Sequence, residues 1–175
     1  MPSIAGKKVA VLVEKFYEDL ELHYPRLRLI EEGCEVHVVG PKANETYESK
    51  KGYPARSTHA AKDVRGADYH CVVIPGGYAP DHMRRYPEMI QLVRDAYNAG
   101  AVLAAICHGP WMLCSVPESI RGRNVGCFFA VKDDVINAGG IYVPDAPCTV
   151  DGKIITARIP DDLPAFMQAI IQAMA

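Results

Sequence analysis

The sequence predicts an α/β fold in which a mostly parallel sheet is covered by helices on both faces. Two observations carry that expectation. Three short apolar runs, "KKVAVLVE" (7–14), "YHCVVIPGG" (69–77) and "AVLAAI" (101–106), lack alternation and have the composition of strands buried on both sides. Segments of helical periodicity fall between them, and strands alternating with helices favour parallel pairing. With 175 residues and no repeat, linker or low-complexity tract, the chain reads as one domain over 1–175.

The elements follow in order. After the first run, "EDLELHYPRLRLIEEG" places Leu20, Tyr24, Leu27 and Ile30 at helical spacing, with Gly33 as the stop. Pro25 must then lie in the first turn or kink the helix. "CEVHVVG" alternates like a strand, and 44–66 reads as loop with a short hairpin. Pro87 opens a helix whose Met89, Ile90, Val93 and Tyr97 share a face and which Gly100 ends. "DDVINAGG" is a short helix with an acidic first turn, and "CTVDGKIITAR" is a hairpin around Asp151-Gly152 or an edge ladder. An amphipathic helix capped by Asp closes the chain.

Composition excludes several classes. A hydrophobic content of 49% with 23% charged residues is that of a globular protein. A net charge of −2 without a basic run leaves neither a nucleic-acid footprint nor a membrane-surface patch. The apolar run from Val9 to Val13 meets Glu14 and Lys15 without a cleavage site, so it is not read as a signal peptide. No stretch has the length of a membrane span. Six cysteines with no C-x-x-C pair then suit a reduced, cytoplasmic protein with mostly buried thiols.

In doubly covered parallel sheets, ligands bind beyond the carboxyl ends of the strands. Ile74-Pro75-Gly76-Gly77 and Ile106-Cys107-His108 both fall there. In "AAICHGPWML" (104–113) a buried strand runs straight into a thiol and an imidazole, and a helix follows. A sharp strand-to-helix turn would lift Cys107 into the crevice, and the helix N-terminus would favour its thiolate. The bland alternative is a buried structural cysteine beside a surface histidine. Gly76 and Gly77 could expose backbone amides and, with the amide of His108, form an oxyanion hole. Glu14, Glu18, Asp19 and Glu21 cluster after the first strand; one could share a proton with the thiol, and spacing does not choose among them. There is no G-x-G-x-x-G after the first strand, no P-loop and no H-x-H or H-x-x-x-H, so neither a nucleotide, another cofactor nor a metal is expected.

With these residues assembled, the chain resembles the ThiJ/PfpI family, in particular its PfpI-like intracellular protease branch within the class I glutamine amidotransferase-like superfamily. "EDLELHYPRLRLIEEGCEV", "VVIPGGYAPD", "AAICHGPWML", "KDDVINAGG" and "VDGKIITAR" carry the resemblance. It implies a flavodoxin-like three-layer α/β/α sandwich. It implies that Cys107 is the nucleophile with His108 beside it, that Glu21 hydrogen-bonds the thiolate, and that Glu18 is a companion acid. An acid after "PGG..P", here Asp81 where the branch's type member has glutamate, would reach across a subunit boundary to orient the histidine. That implies a homo-oligomer, a dimer or larger. "RIPDD" at 158–162 lacks the downstream histidine of amidotransferase triads, which argues against glutaminase chemistry.

The expected activity is that of a cysteine-dependent stress-response enzyme. The resemblance implies a glyoxalase or deglycase acting on small reactive carbonyls or their protein adducts, or a peptidase. The alternative is a non-enzymatic redox sensor or chaperone-type protein working through oxidation of Cys107.

Overall fold

The computed structural model describes residues 3–175. Met1 and Pro2, the start of the N-terminal stretch, lie outside the described residues. The main sheet has seven strands: β1 (Lys8–Leu12), β2 (Glu35–Gly40), β5 (His59–Ala60), β6 (Cys71–Ile74), β7 (Val102–Ile106), β10 (Cys148–Asp151) and β11 (Ile154–Ala157). Two small ladders stand apart from it, β3 (Thr46–Tyr47) with β4 (Ala55–Arg56) and β8 (Asn124–Val125) with β9 (Ile141–Tyr142). Across the main sheet the order is β10-β11-β7-β6-β1-β2-β5, parallel except for the antiparallel β10–β11 edge. The hairpin reading and the edge-ladder reading of "CTVDGKIITAR" therefore describe the same two strands.

Helices α1 (Asp19–Glu31) and α6 (Leu163–Met174) pack together on one side of the sheet. Helices α2 (Ala79–Met83), α3 (Pro87–Asn98), α4 (Pro110–Cys114) and α5 (Lys132–Asn137) form a second group of mutual contacts against β6 and β7. The result is a flavodoxin-like α/β/α sandwich. Val9–Val13, Cys71–Ile74 and Val102–Ile106 are all buried, as non-alternating central strands require.

Three local readings are corrected. Leu20, Tyr24, Leu27 and Ile30 are exposed, and the inward stripe of α1 is Glu21, Leu22, Pro25 and Leu29. An apolar-period search passes over a stripe that contains a carboxyl and a proline. Of the two placements open to Pro25, the first turn is ruled out: it lies in the middle of α1, which continues through it to Glu31. Asp162 stands at the N-cap position of α6 as expected, but its side chain makes no capping bond: the carboxylate accepts from the Arg158 backbone N–H at 3.1 Å and from the Arg158 guanidinium at 3.0 Å. The segment 44–66 contains the expected hairpin (β3–β4) and also β5, whose two residues are too few to show a period.

Register brings the site together. Ile74 at the end of β6 stands opposite Ala105 of β7, and Val11 of β1 stands opposite Val73 of β6. The three parallel strands therefore end at one edge, and the chain beyond each enters the same crevice.

Candidate active site

Cys107 follows β7 at φ 62°, a left-handed conformation that non-glycine residues seldom adopt. Placed at the turn between strand and helix, this strain aims the thiol into the crevice. Gly109 has an ordinary helical φ of −51°. Its lack of a side chain serves close approach instead, since a Cβ there would lie 2.3 Å from the Ile74 carbonyl oxygen.

Glu21 is fully buried on α1. Its Oε2 accepts from the Gly76 amide at 2.7 Å, and its Oε1 has no hydrogen-bond partner. A Cβ on Gly76 would stand 2.7 Å from Glu21 Oε2 and 2.8 Å from both Cys107 Cβ and the His108 nitrogen. Gly76 is thus the point where carboxyl, thiol and turn converge. Its amide is committed to Glu21, which removes it from the expected oxyanion donors. The Gly77 and His108 amides remain, both directed at the sulfur. Gly77 takes φ 70°, with a Cβ position only 2.4 Å from the Phe16 carbonyl oxygen.

Electrostatics correct a further expectation. Burial, followed by the charge of Glu21, pushes the Cys107 thiol up to about 12, against the opposing pull of the Gly77 and His108 amides. Helix α4 has only five residues, and its end does not overcome that burial. Burial, with the Glu18 charge adding to it, likewise raises Glu21 to about 8. Carboxyl and thiol therefore share protons as a pair, and near neutral pH Glu21 is the protonated partner facing the sulfur.

His108 Nδ1 lies 3.2 Å from Cys107 Sγ. Burial and the charge of Lys50 hold the imidazole below its usual value, so it is neutral at pH 7. Aromatic contacts fix the ring: Phe128 stacks on it at 4.9 Å, and Trp111 meets it at 5.1 Å with an interplanar angle of 64°. Trp111 is itself anchored through Nε1 to Asp134 Oδ2 at 2.8 Å.

The other acids take different places. Glu18 is the N-cap of α1, accepting from the Glu21 amide at 2.9 Å, and it also lines the crevice. Asp19 ties down the neighbouring loop by accepting from Ser49 Oγ at 2.6 Å and from the amides of Lys51 and Tyr53 at 2.9 and 3.1 Å. Glu14 accepts from the Lys15 amide at 2.8 Å and lines a separate cleft with Tyr86. Asp81 is exposed on α2, paired with Arg85, and does not line the Cys107 cavity of its own chain.

That cavity measures about 390 Å³ and is walled by Glu18, Glu21, Lys50, Lys51, Tyr78 and Phe128, together with Ile159 and Pro160. Sequence reading missed both lysines, Phe128, Ile159 and Pro160. A Lys-Lys-Gly loop was visible at 50–52, but the Asp19 bonds that carry it to the crevice have no sequence signature. Among the described residues, no group of three His, Cys, Asp or Glu side chains is placed to hold a metal.

The family model described as "DJ-1/PfpI family" matches residues 7–173. A deglycase of Pyrococcus horikoshii is 36% identical over 167 residues, 95% of this chain and 99% of the relative. The protein/nucleic acid deglycase 2 of Escherichia coli K12 is 33% identical over 170 residues, 97% of this chain and 98% of the relative. Among solved structures, a two-domain Anabaena variabilis protein containing DJ-1/ThiJ/PfpI-like and ferritin-like domains superposes with a TM-score of 0.91 at 40% identity. The match covers 95% of this chain and 47% of that one.

Proposed function

The chain belongs to the DJ-1/PfpI family, and on that premise we propose that it is a cysteine-dependent deglycase acting on small reactive carbonyls and their amine adducts. The observation that carries the reading is the buried Glu21–Cys107 pair at the floor of the crevice, where a carboxyl raised to about 8 faces a strained, inward-aimed thiol. A group titrating near the working pH is suited to move protons in both directions.

In this reading, the Cys107 sulfur adds to the aldehyde carbon of a 2-oxoaldehyde, the thiol proton passes to neutral His108, and protonated Glu21 gives its proton to the aldehyde oxygen and becomes the carboxylate. The Gly77 and His108 amides face the oxygen that gains charge. A proton then moves from the former aldehyde carbon to the adjacent carbon through an enediol, giving a 2-hydroxyacyl thioester. Glu21 carries it as the carboxylate formed in the first step. Water hydrolyses the thioester, releasing the 2-hydroxy acid and the thiol. For an amine adduct, the amine leaves when the carbinol carbon is attacked, and the later steps are the same.

The cavity of about 390 Å³, closed in by Tyr78 and Phe128, favours a short carbonyl compound over a polypeptide. Assembly as an oligomer through Asp81 and a cytoplasmic location belong to the same proposal; no helix of the described residues is long and apolar enough to cross a membrane. The test is methylglyoxal consumption with lactate detection, using freshly reduced wild type beside Cys107→Ser. Sustained turnover lost in the variant is expected. Equal consumption by the two proteins would overturn the reading and leave oxidation of the thiol as its role.

A further inference from the structure

The cavity that exposes Cys107 carries two cations on its wall, Lys50 and Lys51, that no step of the proposed chemistry uses. They are held by a defined loop. Lys50 donates its amide to the Tyr17 carbonyl at 2.9 Å, Lys51 donates its own to Asp19 Oδ2 at 2.9 Å, and the Gly52 amide donates to Ser49 Oγ at 2.7 Å. Ser49 in turn donates to Asp19 Oδ1 at 2.6 Å. The Lys50 ammonium sits 5.7 Å from the centre of the Tyr78 ring, over the same cavity. A partly buried hydrogen-bond set thus fixes the backbone of two adjacent cations beside a reacting thiol.

We infer that Lys50 and Lys51 make the crevice selective for a carbonyl substrate that carries one carboxylate group. The substrate class rests on the deglycase reading; the anion preference of the cavity does not. The charge balance favours a monoanion. Glu18 is the counter-charge on the wall, while Glu21 is protonated near neutral pH and His108 is neutral, so the two lysines leave one uncompensated positive charge. A carboxylate held there places its carbonyl carbon deeper, toward Cys107. The preference is electrostatic, so it weakens with salt.

Two arms of one experiment separate the inferences. In the first, Cys107 is alkylated with iodoacetate or with neutral iodoacetamide, and the modified peptide is followed by mass spectrometry. The iodoacetate-to-iodoacetamide rate ratio should fall about fivefold in each of Lys50→Met and Lys51→Met, and further in the double variant. Lys→Arg at either position should restore it, and added salt should lower it in wild type and in the arginine variants but not in the double methionine variant. A ratio unchanged in the double variant overturns the inference. In the second arm, phenylglyoxal and 4-carboxyphenylglyoxal are compared as substrates. Higher kcat/KM for the carboxylated compound, lost in the double variant, supports the substrate class. Turnover of both compounds at equal rates overturns the class while sustaining the deglycase reading. Turnover of neither these compounds nor methylglyoxal, with the iodoacetate preference intact, overturns the deglycase reading and keeps the anion-selective cavity.

Discussion

Replacing Glu21 by glutamine keeps the side chain's shape and an acceptor for the Gly76 amide but removes its titration. Burial moves this carboxyl from its usual 4.5 to about 8. The folded state therefore binds the Glu21 proton more tightly than the unfolded chain does. The associated stability is full below about pH 4.5 and is lost as pH rises toward 8. The ceiling is about 5 kcal/mol, reached at about 1.4 kcal/mol per pH unit within that window. Cys107, raised to about 12, titrates outside the window.

Urea unfolding of wild type and Glu21→Gln at intervals from pH 5 to 8.5 isolates the effect, because all other groups are common to both proteins. The stability of wild type relative to the variant should fall by at least about 2 kcal/mol between pH 5 and pH 8. A difference that stays flat with pH would refute the raised carboxyl and, with it, the proton-carrying role of Glu21. Repeating the pair in a Cys107→Ser background shows how much of the slope depends on the thiol.

Further outcomes follow from the same geometry. Gly76→Ala forces a methyl group to within 2.8 Å of the Cys107 Cβ and the His108 nitrogen; it should cost about 2 kcal/mol in urea unfolding and slow alkylation of Cys107. Phe128→Ala removes the ring stacked on His108, and should lower kcat about tenfold, with a smaller change in KM, by freeing the imidazole to rotate. Asp81→Asn should leave thiol alkylation unchanged but reduce turnover if the partner subunit's histidine needs it; a monomer by light scattering at assay concentration would remove that role altogether.

The fold was legible because central parallel strands and glycine stops have strong local signals: the strands held in 7–14, 69–77 and 101–106, and the stops at Gly33 and Gly100. Cys107 and Gly77 were legible for the same reason, since a strand end followed by a sharp turn is written in adjacent residues. What was hidden depends on long-range contact. The inward face of α1 carries Glu21 and Pro25, so its apolar period pointed outward. The raised thiol arises from burial and from a carboxyl that comes from a different element. Asp162 resembled a cap, but its carboxylate is taken by Arg158, holding the segment that places Ile159 and Pro160 on the cavity wall. Lys50 and Lys51 reach the crevice through the bonds of their loop to the Tyr17 carbonyl and the Asp19 carboxylate, which spacing does not encode.

In the proposed mechanism Cys107 forms a covalent bond with substrate during turnover. Rapid mixing of the reduced protein with excess methylglyoxal, acid quenching and peptide mass spectrometry tests it directly. An adduct confined to the Cys107 peptide should form before lactate appears and decay at the rate of lactate release. Lactate production without that adduct, or an adduct that accumulates and never releases lactate, would contradict it.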